Sequence, residues 1–390
     1  MTNDTSPIYL DYAATTPLDA KAADIVSGHL SRLFGNASSI HAFGREAKVV
    51  LEQSREAIAR ALGAETAEVF FTSGGTESDN HALMGAAFAA RRKSGRSHLV
   101  VSSIEHHAVL HCIEYLRSLG FTASIIPVGE SGVVDPDDAV RCMRRDTCLV
   151  SVMQVNNEVG TVQPIEAIAA AAKERGVLFH TDVVQAAGKV PVTFRALGAD
   201  LLSVTAHKLY GPKGIGAIVI RRGADIDALL HGGSQERKQR AGTENVPLAA
   251  AFAYVLDEAV RRREESMEHA HRLRTRLLDA ITAHVDGVSV NGDAVRSVPS
   301  ITSVSLDAAR YDIDGEALLM NMDLRGIAVS SGSACTSGSV QPSHVLMAMG
   351  RKERDAMLTV RFSTGRQTTM DEIDRAAEAF IGIARGARRT

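Results

Sequence analysis

Seven short apolar runs, at about residues 69–72, 99–102, 122–128, 149–155, 177–181, 201–206 and 215–220, alternate with stretches of helical character. Strands that are apolar along their whole length need cover on both faces, and the intervening helices can supply it. The alternation therefore predicts an α/β chain with a mainly parallel sheet flanked by helices. Before the first run, Glu46 to Leu62 carries apolar or small residues at 47, 51, 54, 58 and 62 and stops at Gly63, which reads as a helix. After the last, a long helix, whole or broken, is expected over about 247–284. Strands near 300–306, 327–330 and 358–363 and helices near 315–325 and 371–386 then suggest a smaller α+β unit. The expected division is 16–258 for the large domain, and 1–15 with 259–390 for the small one.

Composition narrows the function classes. With 390 residues, 45% of them hydrophobic, the chain is globular and long enough for two cores. A net charge of −3 gives no global reason to bind nucleic acid. Arg261 to Arg263 run into Glu264 and Glu265, the pattern of a solvated helix face. Four cysteines without a paired framework suit a reducing cytoplasm. The polar start Met1 to Ser6 does not read as a signal peptide, and no apolar run reaches the roughly 20 residues of a membrane helix.

The chemistry gathers where apolar runs end. The run 201–206 leads into His207, Lys208 and the glycine-rich turn Gly211 to Gly216. A lysine there can hold an aldehyde covalently, and the aldehyde cofactor that uses one is pyridoxal 5'-phosphate, PLP. Many strand-end loops also carry a lysine beside glycines, so this segment alone leaves a structural lysine equally open. PLP further needs a carboxylate at its ring nitrogen, donors for its phosphate and a flat neighbour for its ring. Asp182, in His180-Thr-Asp-Val-Val-Gln185, can be the carboxylate; a helix cap or turn aspartate is the alternative. Gln185 can reach the ring hydroxyl. Ser73-Gly-Gly-Thr76, between a strand and an alanine-rich helix, can cradle an anion at a helix start, although many strand-turn-helix joints look alike. His106 can be the flat neighbour. His107 and His111 are four apart, but no third ligand of suitable spacing accompanies them, so no metal site is expected. Cys335 lies in the small, polar run Ser330-Ser-Gly-Ser-Ala-Cys-Thr-Ser-Gly-Ser339, unlike Cys148, which precedes Leu149-Val150. Such a run suits a reactive thiol; an incidental exposed cysteine is the alternative.

Taken in order, these segments resemble the NifS/IscS-type cysteine desulfurases, PLP-dependent enzymes of the fold-type I, class-V aminotransferase family, in the group with a long catalytic-cysteine loop. The likeness runs through Tyr9-Leu-Asp-Tyr-Ala-Ala-Thr-Thr-Pro17, Phe34-Gly-Asn36, His41, Thr72 to Asn80, Glu105-His106, Val155 to Gly160, His180 to Gln185, Ala206 to Gly216, Ala241-Gly-Thr243, Ser330 to Cys335 and Arg361-Phe-Ser-Thr-Gly-Arg366. Gly75 stands where alanine is frequent, and Thr205 where serine is. Some members have a C-terminal extension that helps dock an iron–sulfur scaffold; this chain ends at Arg388-Arg-Thr390.

The resemblance implies a large domain with a seven-stranded, mainly parallel sheet, and a small domain carrying the cysteine loop at about 328–342. It implies that Lys208 is the Schiff-base lysine, that Asp182 pairs with the ring nitrogen, and that His106 stacks on the ring and moves protons. Asn157 and Gln185 would lie at the ring hydroxyl. Gly75, Thr76, Thr205 and His207 would hold the phosphate, with Thr243 reaching the partner subunit's site in a homodimer. Arg361, with Asn36, would bind the substrate. Cys335 would take sulfur from L-cysteine as a persulfide, releasing alanine, for an acceptor such as an iron–sulfur scaffold. A selenocysteine lyase or an aminotransferase is the alternative, and Cys335 argues against the aminotransferase, which needs no protein nucleophile.

Overall fold

The structure is a computed structural model that describes residues 6–332 and 341–389. Among them are twelve strands: β1 Ile8–Tyr9, β2 Val69–Thr72, β3 His98–Ser102, β4 Thr122–Ile126, β5 Thr147–Ser151, β6 Leu178–Asp182, β7 Leu201–Thr205, β8 Gly216–Ile220, β9 Val288–Asn291, β10 Ile301–Leu306, β11 Ile327–Ala328 and β12 Thr359–Ser363. Seven of them form one sheet in the order β2-β8-β7-β6-β5-β3-β4. Pairing is parallel from β7 across to β4, whereas β8 runs antiparallel to both β7 and β2. The reversal has a local cause: only the ten residues 206–215 join β7 to β8, too little chain for a parallel crossover.

Strand periodicity divides the apolar side chains between two layers. Val69, Phe71, Leu202 and Val204 pack on one face with the helices Ala42–Leu62 and Val246–Arg261. Phe70, Leu99, Leu201 and Ile218 pack on the other with the helices Gly75–Ser94 and His107–Ser118. The helix read from Glu46 begins earlier, at Ala42, and ends on Gly63, whose φ of 63° suits glycine. The expected long helix is two, Val246–Arg261 and Arg263–His284, broken at Arg262.

A second sheet, β12-β10-β9, is antiparallel, and β1 pairs with β11 in a third. Leu273, Leu277, Phe362 and Phe380 share one buried cluster with Ile8 and Leu10 from the chain's start. β9 was not expected; Val288-Ser-Val-Asn291 is short and only partly buried, so its apolar signal is weak.

One buried ion pair holds an unusual segment. Arg55 meets Glu236 through Nη1 at 2.6 Å and Nη2 at 2.8 Å, and Glu236 also accepts from the Phe71 N–H at 2.8 Å. Glu236, Arg237 and Lys238 all have positive φ, at 44°, 52° and 69°. Such backbone costs on the order of 1 kcal/mol or more per residue and persists only where surrounding contacts hold it.

Gly216 opens β8 against the anion-type turn. A Cβ there would lie 2.7 Å from the Val204 carbonyl oxygen and 2.8 Å from Gly74 Cα, both backbone atoms. Gly216→Ala is expected to destabilise the fold by about 1–3 kcal/mol through overpacking, seen as a lower thermal unfolding midpoint; an unchanged midpoint would contradict the close approach.

Candidate active site

Because β2, β3, β5, β6 and β7 share one direction, their carboxyl ends open on the same edge of the sheet, where ligand sites of α/β sheets lie. A cavity of about 570 Å³ stands there. Its wall takes Gly75 and Thr76 from the end of β2, His106 from β3, Asn157 from the loop after β5, Asp182 and Gln185 from β6, and Thr205, His207 and Lys208 from β7. Arg361, on β12, closes the far side. Ten of the residues singled out from the sequence therefore meet in one place.

The Lys208 amine donates to the Ala13 and Ala14 carbonyls at 2.5 and 2.6 Å. Burial, helped by Arg361, pushes it down to about 8, against the pull of Asp11 and Asp182. The Asp182 carboxylate accepts from the Val184 N–H at 2.7 Å. Two more buried acids interact with it, Asp79, which also lines the cavity, and Glu105. Burial raises both, Glu105 to about 8, and the charge of Asp182 raises each further. Asp182 is raised less, because the Val184 N–H and Lys208 favour its anion, so Asp182 is the acid of this group that ionises first.

His106 caps the helix His107–Ser118 by accepting from the Ala108 N–H at 3.1 Å, which fixes its ring. The ring is accessible from the cavity yet packed among protein atoms. Burial, with the charges of Lys208 and three further histidines, pushes it down to about 4. His107 stacks with His111 at 4.9 Å and lies 4.6 Å from His344.

A side lobe of about 420 Å³ runs along Ser73, Gly74, Gly75 and Thr76 to Thr205, His207 and Lys213. Gly74 offers no side-chain cap to the 20-residue helix that follows, so the first N–H groups of that helix face the lobe without a cap. His207 hydrogen-bonds with Thr15 Oγ1 at 3.1 Å and is pushed down to about 4 by burial and by the lysines Lys208 and Lys213. Arg361 donates to Asp11 Oδ1 at 2.8 Å and to the Asn157 carbonyl at 2.9 Å, while its buried Nε has no hydrogen-bond partner.

Two other residues singled out from the sequence lie elsewhere. Asn36 and Thr243 are exposed and line neither cavity of their own chain; the Asn36 side chain accepts from the Ser38 N–H at 2.8 Å. Cys335 lies outside the described residues, with Ser331 and Gly332 as the last described positions before it, both on the cavity wall. Sequence reasoning assigned no part to Asp11, to the Ala13 and Ala14 carbonyls, or to Asp79. The stretch Tyr9 to Pro17 did stand out as a motif, and that was the available signal.

The residues fit PLP. An amine of lowered basicity, a buried carboxylate readily ionised, an accessible imidazole face and an uncapped helix start beside two threonine hydroxyls match the needs of aldehyde, ring nitrogen, ring and phosphate.

The described family "Aminotransferase class-V" matches residues 8–376. A cysteine desulfurase IscS of Dictyoglomus turgidum is 44% identical over 94% of this chain and 92% of that protein. A putative cysteine desulfurase IscS 1 of Bacillus subtilis is 44% identical over 97% of this chain and 98% of its own. Among solved structures, a NifS-like protein has a TM-score of 0.88 at 34% identity, over 97% of this chain and 99% of that one. SspA in complex with cysteine has a TM-score of 0.81 at 33% identity, over 93% and 100% of the two chains.

The lowered basicity of Lys208 gives a sign that can be measured. Only the neutral amine adds to an aldehyde, so reaction of Lys208 with an aromatic aldehyde should climb through a pH of about 8 and then level off. An ordinary lysine, with a pKa of about 10.4, is still climbing there. Borohydride trapping at a series of pH values, read out on the Lys208 peptide by mass spectrometry, checks this.

Proposed function

The chain belongs to the class-V aminotransferases as a PLP-dependent cysteine desulfurase, and on that premise we propose that the cavity at the sheet edge converts L-cysteine to alanine and passes the sulfur to Cys335. The observation that carries the residue roles is the convergence of Lys208, Asp182, His106 and Arg361 on one wall.

PLP, when bound, supplies an electron sink that acidifies the substrate Cα–H. Lys208 would hold the aldehyde covalently and, once released by the substrate amine, take the Cα proton; its lowered basicity suits a proton-transfer group near neutral pH. Asp182 would keep the ring nitrogen protonated, and the N–H of Val184 orients its carboxylate for that. His106 would lie flat on the ring and exchange protons with the substrate. Asn157 and Gln185 would meet the ring hydroxyl. Gly75, Thr76, Thr205 and His207 would hold the phosphate at the uncapped helix start. Arg361 would grip the substrate carboxylate, its unpartnered Nε being the donor left for it. The Cys335 thiolate would then attack the substrate sulfur: an S–S bond forms, the Cβ–S bond breaks with its electron pair left on the carbon side, and a proton added at Cβ completes the methyl group of alanine, which leaves.

The exposure of Thr243 supports a homodimer in which it serves the phosphate of the partner's site, and Asn36 would help bind substrate. We assign residues 16–258 to the PLP-binding domain and 1–15 with 259–390 to the second; the separate buried clusters on the large sheet and on β9, β10 and β12 support that division. A sulfur-acceptor protein, an iron–sulfur scaffold foremost, would receive the sulfur in the cytoplasm. No described helix is long and apolar enough to cross a membrane.

Mass spectrometry of the PLP-loaded protein after brief exposure to L-cysteine without reductant tests the reading. One added sulfur on the Cys335 peptide with matching alanine is expected. Cys335→Ser should abolish both, and Lys208→Ala should abolish alanine. Alanine absent and Cys335 unmodified, with PLP bound, would overturn the proposal.

A further inference from the structure

Behind Lys208 a narrow cavity of about 80 Å³ is lined by Lys189, Lys208, Tyr12, Glu258 and Arg366, among others. Lys189 has no part in the chemistry above, yet its amine is committed: Nζ donates to Gln185 Oε1 at 2.5 Å, four residues earlier in the chain. The charges acting on it are cations, Lys208 and Arg361, and with burial they push its ammonium down to about 7. A cation held among cations is expensive, so a compensating role is worth seeking.

The partners of Gln185 show what that role is. The two ends of a glutamine amide are told apart by what they face. When protonated, Lys189 only donates, and the atom toward it is then the carbonyl oxygen. A backbone carbonyl only accepts, so the atom 2.8 Å from the Ala13 oxygen is Nε2. Both neighbours demand the same orientation. It directs the amide NH₂ toward the cavity that Gln185 lines, leaving its second hydrogen for a bound group. The Ala13 oxygen also accepts from Lys208, so Lys189, Gln185, Ala13 and Lys208 form one continuous chain of contacts.

We propose that Lys189 is a positioning residue that fixes the amide of Gln185, so that an N–H rather than a carbonyl oxygen faces the ring hydroxyl of PLP. This rests on the reading that the cavity holds PLP with Gln185 at that hydroxyl. The opposite orientation would set two oxygens against each other. Without Lys189, Gln185 Oε1 loses its donor at a buried residue, and Ala13 alone holds the amide.

The sign of the effect follows. An N–H donated to the ring oxygen favours its anionic form and eases loss of the proton shared with the nitrogen of Lys208. The visible absorbance of the PLP-loaded protein titrates with that proton. Lys189→Met should raise the midpoint by about one pH unit, the size of one hydrogen bond to a charged oxygen, and Lys189→Arg should restore it. Removal of a nearby positive charge would also raise the midpoint, so the deciding measurement is Lys189→Met in a Gln185→Ala background. Asp11, Asp182 and Arg361, which face Lys208, are unchanged in every variant. No further shift in that background is expected. An undiminished shift there, or an unchanged midpoint in Lys189→Met alone, would overturn the proposal. If the unmodified protein takes up no PLP on Lys208, the reading of the cavity itself fails, which is a separate result.

Discussion

Parallel pairing from β7 to β4 imposes the arrangement on which the site depends. Parallel neighbours present all their carboxyl ends on one edge, and β2 returns to the same sense because β8 reverses twice between β7 and β2. Five loops therefore start from one edge with strands about 4.8 Å apart. The cavity is the space those loops cannot fill. Gly216 shows how tightly the arrangement is set, since β8 approaches Gly74 so closely that no side chain fits between them.

The electrostatics of the wall follow from burial at that edge. Asp79 and Asp182 line the cavity, Glu105 is buried close enough to feel the charge of Asp182, and burial opposes charge on each. Mutual repulsion lets only one of them be an anion cheaply, and the backbone N–H of Val184 with Lys208 selects Asp182. His180 cannot supply a balancing charge: it is buried between Ser151 at 2.8 Å and Ser203 at 3.0 Å and is pushed down to about 3. Burial thus disfavours charge on the groups around Asp182. An anion among groups that resist ionising is suited to hold a proton on a ring nitrogen in front of it.

The sheet was legible in the sequence because its strands are apolar on both faces, and the site because polar clusters follow those strands directly. Lys208 and Asp182 each stand within three residues of a strand's last apolar position, so a one-dimensional pattern locates them. Asp11 and Ala13 were not legible as parts of the wall. They approach Arg361 and Lys208 across about 200 to 350 positions of sequence, a contact no local pattern encodes. β8 reads like the other strands, and its reversed direction comes from the length of a turn rather than from composition. Asn36 and Thr243 carry no local sign of function, being exposed in their own chain; they were singled out by resemblance alone. The same holds in reverse for Lys189, whose neighbours Gly188 and Val190 suggest nothing, and whose position emerges only once Gln185 and Ala13 are placed.

Arg361 joins the three-stranded sheet to the cavity. Its β12 backbone pairs with β10 and bridges to Ser330, while its side chain crosses to the Asn157 carbonyl and Asp11. The guanidinium has five N–H donors in a rigid plane. Asn157 takes one edge, and Asp11 takes Nη2, which leaves Nε as the unpaired member of the edge it shares with Nη2. A carboxylate arriving to use that edge must share Nη2 with Asp11. Two anions then compete for one cation, and the incoming one succeeds only if it offers Nε what Asp11 does not. Lysine could not make this distinction, having a point charge rather than two directed donors. On the role proposed for Arg361, selectivity for a substrate carboxylate would rest on a donor that its own chain leaves unsatisfied, at a position only 4% exposed, where an unpaired N–H is most costly and its pairing most favourable.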